Sequence, residues 1–527
     1  MPKLLYETIA ETAARYPDAP AVLHKNETCT YRHLEQLVDR QCQALLALHL
    51  QPRQRVGIYL PKQLETVTSF FAVCKAGGVF VPINPVLKAP QVRHILQDCE
   101  IQILITAKTR LPGLVEALAD CPALHAIVLV DSDIPKLASS LPQKLFSWQD
   151  FLALPTRQLP LPSSIDSDMA AILYTSGSTG KPKGVVLCHR NIIEGGKSVN
   201  QYLEITRDDR ILAVLPFSFD YGLNQLISSL LKGCCCVLLD YLLPADVIKS
   251  LRKHRITGLA AVPPLWAQLA QLDWPESINT HLRYMTNSGG KMPKKVLQEL
   301  RAKVPDSQFF LMYGLTEAFR STYLPPDQID LRPDSMGKAI PNAEVLVVRE
   351  DGSPCAAHEP GELVHRGTLV ALGYWNDPEK TAERFRPAPG QFRELPITEI
   401  AVWSGDTVSK DEEGYLYFVG RKDDMIKTSG YRVSPTEIEE VLYASGAVKE
   451  AAAIGIPHET LGQAIVVIVV PEQEDFDAQS LLNTCKAQLP NFMVPHKIAT
   501  LSRLPKNPNG KINRKALEQQ FATVFQQ

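Results

Sequence analysis

The chain has 527 residues, of which 45% are hydrophobic and 21% charged, and its formal net charge is −2. That length exceeds what one hydrophobic core organises, so two or more domains are expected. The near-neutral balance gives no electrostatic case for nucleic acid or an acidic membrane surface.

The first twenty residues carry no sustained apolar segment and read as an amphipathic helix stopped by Pro17. No run approaches the length of a membrane-spanning helix, so no membrane insertion and a cytoplasmic enzyme are expected. Residues 31–48 place Leu34, Leu37, Ala44 and Leu45 on one helical face. A strand at 55–60, a helix at 64–76 and strands at 77–83, 101–105 and 125–130 follow. Such alternation predicts a parallel sheet covered by helices. Residues 154–167, rich in Pro and Ser, read as a connector.

The most informative stretch comes next. An apolar run ending at Tyr174 gives way to Thr175-Ser176-Gly177-Ser178-Thr179-Gly180-Lys181-Pro182-Lys183-Gly184, then turns apolar again. Glycines let the backbone approach an anion, hydroxyls donate to phosphate oxygens, and Lys181 and Lys183 supply charge. Two residues separate Gly177 from Gly180 and Pro182 follows Lys181, which excludes a Walker A loop. Strand, loop, strand is predicted. Taken alone, a Gly/Ser/Thr turn is usually only a surface hairpin.

Strands are then predicted at 210–216, 234–239, 256–262, 282–286 and 308–313, with a helix at 222–231. Eleven cysteines lack metal-ligand spacing, and Cys234-Cys235-Cys236 lies in one of these apolar runs, so buried reduced thiols are expected. The strands end in polar or glycine-bearing loops, including Asn287-Ser288-Gly289-Gly290 and Gly314-Leu315-Thr316-Glu317, where open α/β sheets bind ligands. Residues 341–419 read as short strands and turns. Beyond the charged junction Gly420-Arg421-Lys422-Asp423-Asp424, a strand at 425–427, a helix at 435–444, strands at 448–454 and 464–470 and a helix at 480–488 suffice for a small α+β domain.

Several residues suit phosphate and nucleotide chemistry. A carboxylate at Glu317 can hold magnesium against phosphate oxygens, and Thr316 can bond a phosphate. Asp406, beside Gly405 at a strand end, suits a ribose diol. Lys511, in Pro508-Asn509-Gly510-Lys511, is a point cation able to stabilise a phosphorus transition state.

These motifs, in order and in register, resemble the adenylate-forming superfamily of acyl-CoA synthetases, peptide-synthetase adenylation domains and firefly-type luciferases. The resemblance covers nearly the whole chain. It extends to stand-alone aminoacyl-carrier-protein ligases and to ligases found with bacterial exopolysaccharide and exosortase clusters. It implies an α/β fold: a large N-terminal AMP-binding domain (1–420) of two α/β sheets plus a β-rich subdomain, a hinge (421–423) at Asp423, and a small mobile α+β lid (424–527). It implies catalytic roles for Lys511, Thr175 and Glu317. ATP would be held by Thr175, Ser176, Gly177, Ser178, Thr179, Gly180, Lys181, Lys183, Thr316, Asp406, Arg421 and Lys511, with Tyr313 stacked on adenine and Mg2+ on Glu317. Gly430 and Tyr431 would line a thiol tunnel.

The implied reaction joins a small carboxylic acid to a thiol by way of an acyl-adenylate. The acid pocket is expected to involve Asp220, Asn287, Gly289, Gly290 and Arg320. Asp220 looks like the aspartate with which amino-acid-activating relatives hold the substrate ammonium, although an Asp opening a helix is also a common cap. An amino acid is therefore expected, with proline or an acidic amino acid as candidates. Arg320 would favour a second carboxylate unless it pairs with Asp220. The acceptor is expected to be the phosphopantetheine of a separate carrier protein, with free CoA as the alternative. A luciferase-like oxygenase or a non-catalytic binding module is the competing class.

Overall fold

The computed structural model describes residues 2–131, 133–135, 141–154, 157–175, 182–392, 394, 396–421, 425–473, 475–505 and 512–525. Ser176, Gly177, Ser178, Thr179, Gly180, Lys181, Asp423 and Lys511 lie outside the described residues, as does the Arg421 side chain.

Three sheets build the described chain. The first has eight strands. Its parallel part runs through Arg55–Tyr59, Val79–Pro82, Ile103–Thr106, Ala126–Leu129 and Lys144–Ser147. Fully buried runs such as Ile-Leu-Ile-Thr suit strands covered on both faces. At the far edge Met169–Thr175 pairs antiparallel with Lys183–Cys188, with Thr175 opposite Lys183. The two predicted strands that flank the glycine-rich segment are therefore present.

The second sheet has fourteen strands. A parallel half contains Arg210–Ala213, Cys235–Leu238, Gly258–Ala261, Tyr284–Asn287 and Gln308–Tyr313. Pro20–His24 and Glu27–Thr30, not foreseen from sequence, complete its edge. The expected β-rich segment is present. It is no separate layer, because Thr322–Leu324 and Ser335–Ala339 pair antiparallel beyond Gln308–Tyr313 and carry the sheet on to Leu416–Arg421, Ile400–Lys410 and Gly361–Gly367. Thus Tyr313 and Asp406, far apart in sequence, belong to one continuous surface.

A shared core joins the two sheets. Phe70, from Leu64–Lys75, stacks on Phe80 at 4.7 Å and meets Phe217 edge-on at 6.0 Å. All eleven cysteines are free and buried. No helix among the described residues is long and apolar enough to cross a membrane.

The third sheet, five strands from Ile426–Thr428 onward, has its own core around Ile438, Leu442, Val467 and Leu481. Its helix Pro435–Ala444 starts with proline in the first turn, where the missing N–H costs no bond. The small domain packs on the large one: Gln91 Nε2 donates to the Gln488 carbonyl at 3.2 Å, and Asn84 and Tyr431 line one cavity from the two domains.

Candidate active site

Glu317 sits in a single 3-10 turn, Thr316–Ala318, just past Gln308–Tyr313. It is 4% exposed. Lys183 Nζ lies 3.3 Å from Glu317 Oε1, and the Tyr374 hydroxyl donates to the same oxygen at 2.6 Å. Lys183 Nζ also donates to the Tyr374 oxygen at 2.7 Å and stands 4.0 Å from its ring centre. Burial pushes the Glu317 carboxyl up, but Lys183, Arg432 and the Tyr374 hydroxyl overcome it and hold the group down at about 2. Burial lowers the Lys183 ammonium, with Glu317 opposing.

Tyr374 carries no motif and was not foreseen. It belongs to the two-residue strand Gly373–Tyr374, which pairs with Val185 and Val186 beside the glycine-rich segment. The same stretch donates on both sides: Ala371 N–H to the Glu317 carbonyl at 2.8 Å and Trp375 N–H to the Gly184 carbonyl at 2.7 Å. Residues 371–375 thus tie the Glu317 turn to the strand that carries Lys183.

The Tyr313 hydroxyl donates to Asp406 Oδ2 at 2.5 Å. Asp406 lies inside strand Ile400–Lys410, which runs on past the strand end expected from sequence; its N–H donates to Ser404 Oγ at 3.1 Å, while Ser404 Oγ donates to the Leu363 carbonyl at 2.7 Å. The Thr175 hydroxyl is buried with no partner among the described residues. The chain flanking the glycine-rich segment is anchored to helix Ala89–Asp98. Tyr174 donates to Asp98, and His94 Nε2 lies 2.9 Å from the Pro182 carbonyl.

The acid-pocket candidates gather one strand-end away. Asp220 opens helix Asp220–Lys232 but makes no cap; Phe219 is the capping residue. Its Oδ1 accepts from Thr316 Oγ1 at 3.3 Å, so the Thr316 hydroxyl is turned toward Asp220. Its Oδ2 stands 4.0 Å from Arg320 Nη1. Burial raises the Asp220 carboxyl, with Arg320 and Thr316 opposing. Asn287 is buried and donates from Nδ2 to the Gly290 carbonyl at 3.1 Å.

A cavity of about 160 Å³ joins these groups; Thr175, Asp220, Tyr313, Thr316, Arg320 and Asp406 line it, together with Gly289, Gly430 and Tyr431. A larger groove of about 930 Å³ opens beside it, lined by Gly289, Gly290 and Gly430 among others. Gly289 and Gly430 border both spaces, one from each domain. Gly430 has φ +81°, and an added Cβ would lie 2.9 Å from Val262 side-chain atoms. Tyr431 stacks on Phe492 at 3.8 Å.

The AMP-binding enzyme model matches residues 9–375, well over half of the chain, and the AMP-binding enzyme C-terminal domain model matches residues 437–511. The chain belongs to the AMP-binding enzyme family. Gramicidin S synthase 2 of Aneurinibacillus migulanus is 32% identical over 96% of this chain, which spans only 11% of that protein. A long-chain-fatty-acid–CoA ligase of Escherichia coli O157:H7 is 29% identical, with 97% of this chain and 94% of the ligase aligned. Among solved structures, a double mutant of the Bacillus subtilis o-succinylbenzoate CoA synthetase bound to a product analogue is 26% identical with a TM-score of 0.82, covering 97% of this chain and 98% of that one. The same synthetase with its acyl-adenylate intermediate gives a TM-score of 0.68 at 26% identity, with 97% of each chain covered. This AMP-binding enzyme therefore shares its fold with acid-activating synthetases across both domains.

Proposed function

We propose that this protein uses ATP to activate a small carboxylic acid as an acyl-adenylate and passes the acyl group to a phosphopantetheine thiol. One observation carries the reading: Thr175, the Tyr313–Asp406 pair and the Asp220–Arg320 pair line one cavity at the edge of the glycine-rich segment, and the Glu317–Tyr374 cluster is tied to that edge through Lys183, which stands opposite Thr175. An ionised, buried carboxylate at Glu317 and an orphaned hydroxyl at Thr175, with Lys183 bonded to the first and paired in register with the second, fit a magnesium-bound triphosphate. In that reading residues 175–181 and Lys183 hold the phosphates, Glu317 holds Mg2+, which neutralises phosphate charge, and Asp406, Tyr313 and Arg421 hold the nucleoside.

A carboxylate oxygen of the acid then bonds the α-phosphorus as the bond to pyrophosphate breaks. Positioning and charge supply the catalysis, with Lys511 as the mobile cation. In the second half a thiol sulfur bonds the acyl carbon, loses its proton, and AMP leaves. Two tasks at one place call for a lid (424–527) that turns about residues 421–423 near Asp423. The two spaces that Gly289 and Gly430 both border support the thiol route, with Tyr431 lining the smaller one. So does the higher similarity to the product-analogue complex of the relative than to its acyl-adenylate complex.

Asp220 supports an amino acid as the acid, and we assign the thiol to a separate carrier protein. Free, buried thiols support a reducing cytoplasmic setting. A screen of acids by ATP–pyrophosphate exchange, followed by trials with CoA and with a holo-carrier protein, tests the reading. Acid-dependent exchange and acylation of the carrier are expected. Absence of exchange with every amino, aryl and fatty acid refutes the activity, and acylation of CoA alone refutes the carrier assignment.

A further inference from the structure

Arg320 is 2% exposed yet short of partners. Its Nε and Nη2 bond nothing among the described residues, and its Nη1 only approaches Asp220 Oδ2, at 4.0 Å. A guanidinium presents five donors in a rigid fork, and burial removes the water that would otherwise satisfy them. Folded chains rarely leave such donors empty without a purpose.

The surroundings fix the fork in place. It lies over the Tyr221 ring, 4.4 Å from the centroid, and the Tyr221 hydroxyl is tied to Thr286 Oγ1 at 2.5 Å. The preceding residue, Phe319, has φ +56°, a conformation that costs energy in a side chain of this kind. Its ring is wedged against Gly195, where a Cβ would come within 2.3 Å of it. The chain thus bends sharply between Glu317 and Arg320 and is clamped there. Asp220 does not use up the fork, since Thr316 donates to its Oδ1. Both side chains line the cavity.

Resting on the ligase reading, we infer that Arg320 receives a second carboxylate of the substrate while Asp220 receives its ammonium, so that the acid activated is an amino-dicarboxylic acid. The pocket offers one buried cation and one buried anion that face each other without a hydrogen bond. A simple monocarboxylic acid leaves the arginine donors empty. A plain dicarboxylic acid brings a carboxylate to Arg320 but leaves Asp220 unmatched. An amino-dicarboxylic acid matches both charges.

The test compares aspartate with 2-aminobutyrate, and glutamate with norvaline, in ATP–pyrophosphate exchange. The wild-type protein should favour at least one acidic member over its uncharged partner by ~100-fold or more in kcat/KM, as a site built to bond a polar group discriminates against its absence. In Arg320→Met that ratio should fall at least ~30-fold, and Arg320→Lys should recover part of it. Arg320→Gln serves where the methionine variant does not fold, with thermal melting as the check. If wild type uses the uncharged partners, or proline, as well as the acidic acids, the inference is overturned and the ligase reading stands. Equal loss for both members in a folded Arg320 variant also overturns it. Absence of exchange with all acids refutes the ligase reading instead.

Discussion

Tyr374→Phe isolates a single hydroxyl that bridges Glu317 and Lys183. The ring stays, and with it the contact to Lys183 at 4.0 Å and the edge packing on Phe385 at 5.5 Å. What is lost is the bond to Glu317 Oε1 at 2.6 Å and the acceptor for Lys183 Nζ at 2.7 Å. Hydrogen bonds to charged groups contribute about 1.5–3 kcal/mol. If the hydroxyl holds Glu317 and Lys183 in their working geometry, that range converts to about 10- to 150-fold in kcat/KM for MgATP. ATP–pyrophosphate exchange at saturating acid substrate measures it, with thermal melting to show that the variant is folded. The acid limb of the pH profile should also move toward neutrality, since a donor that favours ionised Glu317 is gone. A variant within twofold of wild type, with an unmoved acid limb, would refute the role given to Tyr374.

Other expectations follow from the same contacts. Glu317 titrates near 2 in the fold against 4.5 ordinarily, so its ionisation contributes stability that is fully present above pH 4.5 and lost as pH falls toward 2. Urea unfolding of wild type and Glu317→Gln should differ by up to about 3 kcal/mol at neutral pH and converge in acid. Lys183 has the opposite sign: its lowered value makes its charge a cost at neutral pH, relieved as pH rises through its folded value. Gly430→Val should fill space where the cavity and the groove share a wall, cutting thioester formation more than ~10-fold while exchange persists, as shown by a single-turnover acylation assay. Tyr174→Phe combined with His94→Ala should loosen both flanks of the glycine-rich segment and raise KM for MgATP roughly tenfold or more; an unchanged KM would show that helix Ala89–Asp98 does not position it.

The sequence revealed most where one local pattern determines structure. Apolar runs on each side of Thr175–Gly184 predicted the two strands that the fold pairs antiparallel. Proline at the first turn marked helix Pro435–Ala444 to the residue. Just past the strand predicted at 256–262, Pro263-Pro264 begins helix Pro263–Ala270 for the same physical reason. Long-range features were hidden. Nothing near Tyr374 announces that a two-residue strand will join Glu317 to Lys183. Strands Pro20–His24 and Glu27–Thr30 are short, and the first finds its parallel partner in Cys235–Leu238. The Asp220–Arg320 relation was open in sequence because only folding sets the 4.0 Å between them.

The central claim is that ATP is cleaved at the α-phosphorus by a carboxylic acid under the influence of Lys511. The most direct measurement is ATP–pyrophosphate exchange in the presence and absence of aspartate, for wild type and Lys511→Ala. Acid-dependent exchange should fall at least ~100-fold in the variant, while transfer from a synthetic acyl-adenylate to thiol survives. Exchange that needs no acid, or that Lys511→Ala leaves intact, would contradict it.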